Sequence, residues 1–433
     1  MGNQSSLLSN LRTIDKQKAK KKKEKEKKEK QRLKLLRKLP QQLQERAGVL
    51  AQKRRPERED GTPFRVLSLD GGGLKGRALV EMLRQVETRL REQQGDEFTL
   101  RDHFDLIVGT STGALVGMGI VYFDFSCDEL DAMFDVIGYE VFESSKLMRS
   151  SRASSNSSSE LAFYSTDKLD KFLKLMLTPP PSVECPNPPS FCLSAHENGQ
   201  ENSQENDVKL AMVAADWKTG AAETFLFRNY FSIEPDAFRG SCTAPIHVAA
   251  RATSAAPTYF KSVKEQVRVD GEDRLCNFRF VDGGVLANNP TLIALTEAFR
   301  YSGDRNIQLL SLGCGMPDRI HCTANSLLIE NLAASATNVR RTERLAESLV
   351  ARLSGVTYWR FSPTLNRNID LADNREGAVK ELLAAVAEIT GSPPSRGDET
   401  DAGPSEPGPI ALSFAEMLND LCPQGSMQGS NNI

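Results

Sequence analysis

No run of apolar residues in this chain approaches the ~18–20 needed to cross a bilayer, and its opening residues are too polar for a cleaved secretory leader. Neither an integral membrane protein nor a secreted one is expected. Eight cysteines are scattered through 433 residues without a C-x-x-C pair or a neighbouring pair of histidines. That pattern argues against a zinc site or a disulfide framework and for a reducing, cytoplasmic setting. Histidine is scarcer still, with four positions: His103, His196, His247 and His321. Chemistry that needs an imidazole must draw on one of them. No stretch has the spaced acids of an EF-hand loop, and neither a cofactor nor a metal is expected.

What is present is ordinary in bulk and uneven in detail. The length leaves room for one large domain or two smaller ones, and the 39% hydrophobic and 26% charged fractions fit a globular protein. The formal net charge of −2 hides a strong asymmetry: residues 16–38 hold fourteen Lys or Arg against three Glu. Residues 1–60 read as a basic tail, disordered or helical, in which Lys20–Lys28 suits a solvated helix and Pro40 bends or ends it. Residues 61–390 read as the folded domain, and 391–433 as a Pro-, Gly- and acid-rich C-terminal tail with a short apolar segment at 410–421. Two irregular insertions interrupt the domain, Ser-rich at 144–159 and Pro/Ser/Asn-rich at 178–206. Unstructured stretches this long are either functional or disordered; disorder is the reading adopted, with a lid over the active site as the alternative.

Within the domain, short apolar runs bounded by turn residues predict strands at 64–69, 103–108, 208–215, 222–227, 277–281 and 307–312. Helical periodicity predicts helices at 78–87, 114–122, 167–177, 290–300, 325–353 and 375–389. The helix at 114–122 is apolar all round, which implies burial on every side. Strands alternating with helices predict an α/β fold, a three-layer α/β/α arrangement around a mainly parallel sheet.

Two glycine-rich turns carry the chemistry. Gly109-Thr110-Ser111-Thr112-Gly113 lies between a strand and a buried helix, the context in which G-x-S-x-G lifts a serine hydroxyl out of a sheet. Asp70-Gly71-Gly72-Gly73-Leu74-Lys75-Gly76 likewise joins a strand to a helix. Its amides at Gly71, Gly72 and Gly73 carry no side chains and can face a developing oxyanion, with the helix dipole behind them. The same run matches the dinucleotide fingerprint G-x-G-x-x-G. That reading also wants an acid at the end of the next strand, and this strand ends in the serine turn instead. Lys75 suits either long-range positive charge or a structural role.

The group that would activate Ser111 is less evident. None of the four histidines sits at a strand end beside a glycine turn. Asp282 does, in Phe278-Arg279-Phe280-Val281-Asp282-Gly283-Gly284. A carboxylate is a weak base toward serine unless burial raises its pKa, and an Asp that merely caps an Asp-Gly turn is the alternative.

These motifs, in this order, make the chain similar to the patatin-like phospholipases. That family joins a D-G-G-G-x-R/K-G anion hole, a G-x-S-x-G elbow and a D-G-G/A motif, and uses a Ser-Asp dyad without histidine. The stretches 250–260, Asn288-Asn289-Pro290 and 311–315 also resemble family segments, so the likeness covers roughly 64–390. It implies that Ser111 is the nucleophile, Asp282 the general base, and Gly71, Gly72 and Gly73 the oxyanion hole. It further implies calcium-independent hydrolysis of fatty-acyl esters in lipids, of phospholipase A or lysophospholipase type, through an acyl-enzyme. A triacylglycerol lipase or acyltransferase with the same dyad is an alternative, and a catalytically silent membrane-docked scaffold is another.

The N-terminus suggests how such an enzyme reaches its substrate. Met1-Gly2-Asn3-Gln4-Ser5-Ser6 fits the pattern for myristoylation of Gly2. One acyl chain binds membranes only marginally, and the Lys-rich segment 16–38 supplies a second signal toward an anionic surface. Peripheral association with the cytosolic face of a membrane is therefore expected, and nucleic acid is not an expected partner.

Overall fold

The computed structural model describes residues 55, 58–59, 61–142, 162–177, 208–218, 221–232, 236–317, 339–393 and 408–422. The basic segment 16–38, Gly2 and both predicted insertions lie outside these residues, as does the 325–338 part of one predicted helix.

The strands are β1 (Phe64–Leu69), β2 (Leu106–Thr110), β3 (Lys209–Lys218), β4 (Ala221–Arg228), β5 (Arg239–Ser241), β6 (Val263–Arg268), β7 (Leu275–Asp282), β8 (Ile307–Leu312), β9 (Met316–Pro317), β10 (Val356–Phe361) and β11 (Thr364–Leu365). Helices longer than one turn are α1 (Arg77–Gln94), α2 (Thr112–Phe123), α3 (Cys127–Ile137), α4 (Thr166–Leu177), α5 (Ile246–Thr253), α6 (Thr291–Tyr301), α7 (Arg340–Val350), α8 (Glu376–Thr390) and α9 (Pro409–Leu421). None of the described helices is long and apolar enough to cross a membrane.

The main sheet runs β10-β8-β1-β2-β3-β4-β5, parallel from β10 through β3 and turning antiparallel at β3–β4. Side-chain alternation decides what covers each face. Leu106 and Val108 of β2 join Ala211 and Val213 of β3 in a cluster with Ile293, Ala294 and Ala298 of α6. The residues between them point the other way, so that a Cβ on Gly117 of α2 would lie 3.0 Å from both Ile107 and Leu210. Both faces of the central strands are thus buried under helices, which is why those strands read as continuous apolar runs. The glycines of α2 let it lie close against the sheet, and all of it except the half-buried Tyr122 is buried.

Several elements differ from the sequence reading. The strand predicted from His103 starts at Leu106, because Thr99 and Asp102 form a reciprocal capping box that winds Leu100–His103 into a helical turn. Helix α3, opened by a second capping box between Ser126 and Glu129, was not predicted, and neither were β5, β6 and β10. The apolar segment assigned to the C-terminal tail forms α9, whose Phe414, Met417 and Leu421 are fully buried, with Phe414 edge-on to Phe361.

One topological detail positions the site. Strand β4 occupies one edge of β3 along its length, so β2 and β7 share the other. Strand β2 runs parallel to β3 and ends with Thr110 opposite Val213. Strand β7 runs antiparallel and ends with Asp282 opposite the next residue, Ala214. Two strand ends therefore meet tip to tip against a single strand, and Ser111 and Asp282 lie at that meeting point.

Candidate active site

Ser111 leaves β2 in a backbone conformation that L-residues rarely adopt, φ 52° and ψ −120°, immediately before α2. Such a conformation costs of order 1–3 kcal/mol and persists only where its surroundings fix it. Here the Ser111 N–H donates to Thr253 Oγ1 at 2.9 Å, and the Thr253 hydroxyl donates to the Val213 carbonyl at 2.6 Å. The flanking glycines are needed for space. A Cβ on Gly109 would lie 2.5 Å from the Ala114 nitrogen, and one on Gly113 would lie 2.3 Å from the Leu69 carbonyl oxygen.

Across the strand tips, Ser111 Oγ donates to Asp282 Oδ2 at 2.6 Å. The other carboxylate oxygen, Oδ1, accepts the Gly284 N–H at 2.7 Å, and the Asp282 N–H donates to the Ala255 carbonyl at 3.0 Å. Both ends of the residue are thus fixed. Asp282 is only 5% exposed. Burial raises its pKa from 3.8 to about 6, against the smaller opposing effects of the Ser111 and Gly284 hydrogen bonds. A carboxylate at that value is ionised at neutral pH yet more basic than an exposed one, as a general base acting near pH 7 requires.

The glycine loop differs in part from the sequence reading. Gly71 was expected to offer its amide to an oxyanion, but that N–H donates to the Asn288 carbonyl at 3.0 Å, while Asn288 Nδ2 donates back to the Gly71 carbonyl at 3.2 Å. Leu74 N–H is likewise committed, to the Leu371 carbonyl at 2.7 Å. The expected set of three donors narrows to Gly72 and Gly73. The Ser111 hydroxyl, turned toward Asp282, does not cap α2. The first amides of that helix have no partner within it, so the positive end of its dipole lies at Ser111.

The loop is pinned from behind. A Cβ on Gly72 would fall 2.3 Å from Cys314 Cβ, and Gly73 has φ 58° with its Cβ position 2.3 Å from the Leu371 carbonyl oxygen. The Thr112 hydroxyl donates to the Gly73 carbonyl at 2.8 Å. Asp70 makes a two-pronged buried pair with Arg360, at 2.8 and 2.6 Å, and Arg360 also reaches Ser311 Oγ at 2.9 Å. Burial pushes the Asp70 carboxyl up, and Arg360 pulls it back. Arg360 and Thr253 have no local motif of their own that reveals these roles. Lys75 donates to the Gly315 carbonyl at 3.3 Å, and burial lowers its pKa.

The two described histidines stand apart from this cluster. His103 precedes β2, at the end of that strand remote from Ser111. It is buried edge-on against Phe104, with its pKa held well below 6.5 by burial and by Arg65, Arg58 and Arg55. His247 lies near the start of α5, half-buried, its pKa lowered by burial and Lys174. His196 and His321 lie outside the described residues.

Comparison with known proteins places most of the folded part of the chain in one family. The Patatin family model, described as patatin-like phospholipase, matches residues 67–295. Phospholipase A I of Arabidopsis thaliana is 27% identical over 386 residues, covering 76% of this chain and 27% of that protein. Calcium-independent phospholipase A2-gamma of Oryctolagus cuniculus is 28% identical over 331 residues, covering 74% of this chain and 37% of that protein. The 85/88 kDa calcium-independent phospholipase A2 of Rattus norvegicus is 28% identical over 367 residues, covering 73% and 38%. The chain spans well under half the length of these curated relatives.

Proposed function

The chain belongs to the patatin-like phospholipase family, and from that premise we propose that it is a membrane-associated lipid acyl hydrolase of phospholipase A or lysophospholipase type. The observation that carries the reading is the 2.6 Å hydrogen bond from Ser111 Oγ to a buried Asp282 whose pKa is raised to about 6.

In this mechanism Asp282 takes the hydroxyl proton as Ser111 Oγ attacks the ester carbonyl. The carbonyl oxygen becomes an oxyanion and is held by the open amides of Gly72 and Gly73 and by the N-terminus of α2. Collapse of the tetrahedral species expels the lipid alcohol, which takes the proton from Asp282 and leaves the fatty acyl group on Ser111. Water, deprotonated by the same carboxylate, then releases the fatty acid and regenerates the serine. Every proton passes through one carboxylate, so these residues complete the cycle without an imidazole. Two of the relatives are named calcium-independent, and the same independence is proposed here.

Membrane association is proposed through Gly2 as a myristoylation site and the Lys-rich segment 16–38, at ~1 kcal/mol per basic residue near an anionic surface. The dyad does not select the ester, so a triacylglycerol lipase or acyltransferase is the second reading, distinguished by its products. Hydrolysis of radiolabelled phospholipid and triacylglycerol with calcium chelated tests the proposal in the parent, Ser111→Ala and Asp282→Asn. Loss of activity in both variants is expected. Activity surviving in Ser111→Ala overturns the serine mechanism, and full activity in Asp282→Asn returns the base to a histidine.

A further inference from the structure

A trans peptide points its carbonyl and its N–H in opposite directions, so a partner at one end aims the other. Between Asp70 and Leu74 the outer two peptides are held at both ends. The Asp70 carbonyl accepts Cys314 Sγ–H at 3.4 Å while the Gly71 N–H donates to the Asn288 carbonyl at 3.0 Å. The Gly73 carbonyl accepts the Thr112 hydroxyl at 2.8 Å while the Leu74 N–H donates to the Leu371 carbonyl at 2.7 Å. The two peptides between them are held at their carbonyl ends. The Gly71 carbonyl accepts Asn288 Nδ2 at 3.2 Å, and the Gly72 carbonyl accepts the Lys75 N–H at 3.2 Å. The N–H groups of Gly72 and Gly73 are thereby turned away from those partners.

The conformation of Gly72, φ 178° and ψ 8°, decides where those two groups aim. With these angles the backbone from Gly72 N to Gly73 N lies nearly in one plane and traces a U, with both N–H bonds in that plane. They converge on its open side, where one oxygen about 2.9 Å from each nitrogen accepts both. Two N–H dipoles aimed at one point repel each other, and a negative oxygen there relieves the repulsion. Rotation of the Gly71–Gly72 peptide changes φ at Gly72 and swings its N–H off that point. Glycine resists such rotation weakly, so the restraint comes from Asn288. That residue is itself anchored between the nucleophile and the base: it follows the turn Gly284–Ala287, whose Gly284 N–H donates to Asp282 Oδ1 and whose Ala287 carbonyl accepts the Thr110 hydroxyl at 2.7 Å.

We infer that Asn288 is a positioning residue of the anion hole: its side-chain amide holds the Gly71–Gly72 peptide so that the Gly72 and Gly73 N–H groups meet at one oxygen. It acts on the transition state through that peptide and touches no reacting atom. The inference rests on the Ser111 mechanism proposed above.

The test uses the full chain as parent, Asn288→Ala and Asn288→Asp, the second keeping the shape of the side chain while removing its donor. Far-UV circular dichroism of the three should superimpose. With a short-chain ester, kcat should fall roughly ten- to a hundredfold in both variants, with KM within about twofold of the parent. The inflection of kcat/KM near pH 6 set by Asp282 should stay in place, which separates the anion hole from the base. Phosphonylation of Ser111 by a fluorophosphonate, whose phosphoryl oxygen occupies the same hole as fluoride leaves, should slow by a factor similar to that in kcat. Full kcat in either variant overturns the inference. So does a raised KM at unchanged kcat, or a displaced inflection, which would place the effect at Asp282. A parent that cleaves no lipid ester, yet is phosphonylated at Ser111 and more slowly so in both variants, fails the proposed activity while supporting the role of Asn288. A parent inert toward both reagents overturns this inference together with the mechanism beneath it.

Discussion

The Asp282→Asn variant should be more stable than the parent at neutral pH while losing activity, and the stability difference should depend on pH with a defined sign. The Asp282 carboxyl is raised from 3.8 to about 6, chiefly by burial. At ~1.4 kcal/mol per pH unit, keeping it ionised in the fold costs about 3 kcal/mol. Between these two values the folded chain holds a proton that the unfolded chain has released. Stability from this residue is therefore fully present below pH ~4, falls as pH rises toward ~6, and is level above. Asparagine fits the same contacts without charge: its carbonyl can accept the Gly284 N–H, and its amide can donate to Ser111 Oγ. Near pH 8 the variant should gain up to about 3 kcal/mol, a melting-temperature rise on the order of 5 °C. The gain should disappear near pH 4. Activity of the parent follows the opposite sign, because the base acts only when ionised: kcat/KM should fall about tenfold per pH unit below ~6. Thermal melts of parent and variant across this range, with a pH–rate profile of the parent, measure both. Parallel melting curves at every pH, or a kcat/KM that stays flat through pH 6, would refute the assignment of a raised pKa to a working base.

Other perturbations follow from particular contacts. Thr253→Val leaves the Ser111 N–H without its acceptor and should cost about 1–3 kcal/mol in denaturant unfolding together with a fall in kcat, whereas Thr253→Ser should restore both. Arg360→Gln leaves the buried Asp70 carboxylate without its partner and should destabilise by about 3–5 kcal/mol in thermal unfolding. Gly72→Ala drives a Cβ into Cys314 Cβ and should lower kcat by roughly a hundredfold through displacement of the anion-hole amides. A Cys314→Gly second substitution, which opens that space, should recover part of the loss.

What the sequence revealed divides along the range of the interactions involved. Strands β1 and β8 begin and end where predicted, because each is a buried apolar run with turn residues beyond it, and burial on both faces writes itself into adjacent residues. The Ser111 turn is equally local, since its two glycines and the apolar helix that follows lie between Gly109 and Phe123. The capping box at Ser126 and Glu129 was there to be read, and it marks the helix that was missed. Partners far apart in sequence left no such trace. Arg360 sits in a strand whose other residues are mostly half-buried, and only the fold brings it to Asp70, 290 residues earlier. The commitment of Gly71 to Asn288 depends on a contact across 217 residues, so a run of three equivalent glycines could not disclose which amide was occupied. Strand β6 was hidden for another reason: Lys264, Glu265, Gln266 and Arg268 are exposed, where strand prediction looks for apolar residues.

The meeting of two strand ends on β3 offers a physical reason for the proposed two-residue site. A histidine between serine and acid requires a gap the width of an imidazole. Here Thr110 and Asp282 oppose consecutive residues of one strand, and Ser111 Oγ reaches the carboxylate directly. That proximity depends on Gly283, where a Cβ would lie 2.3 Å from the Val213 carbonyl oxygen. The same carbonyl accepts the Thr253 hydroxyl that holds the Ser111 amide. Val213 thus couples the two strand ends through its backbone, so a shift of either tip is felt at the other. The close packing that removes space for an imidazole also excludes water from Asp282, and that exclusion raises its basicity. Loosening the junction would therefore lengthen the Ser111–Asp282 hydrogen bond and return the carboxyl toward its ordinary value together, weakening geometry and base strength in one step.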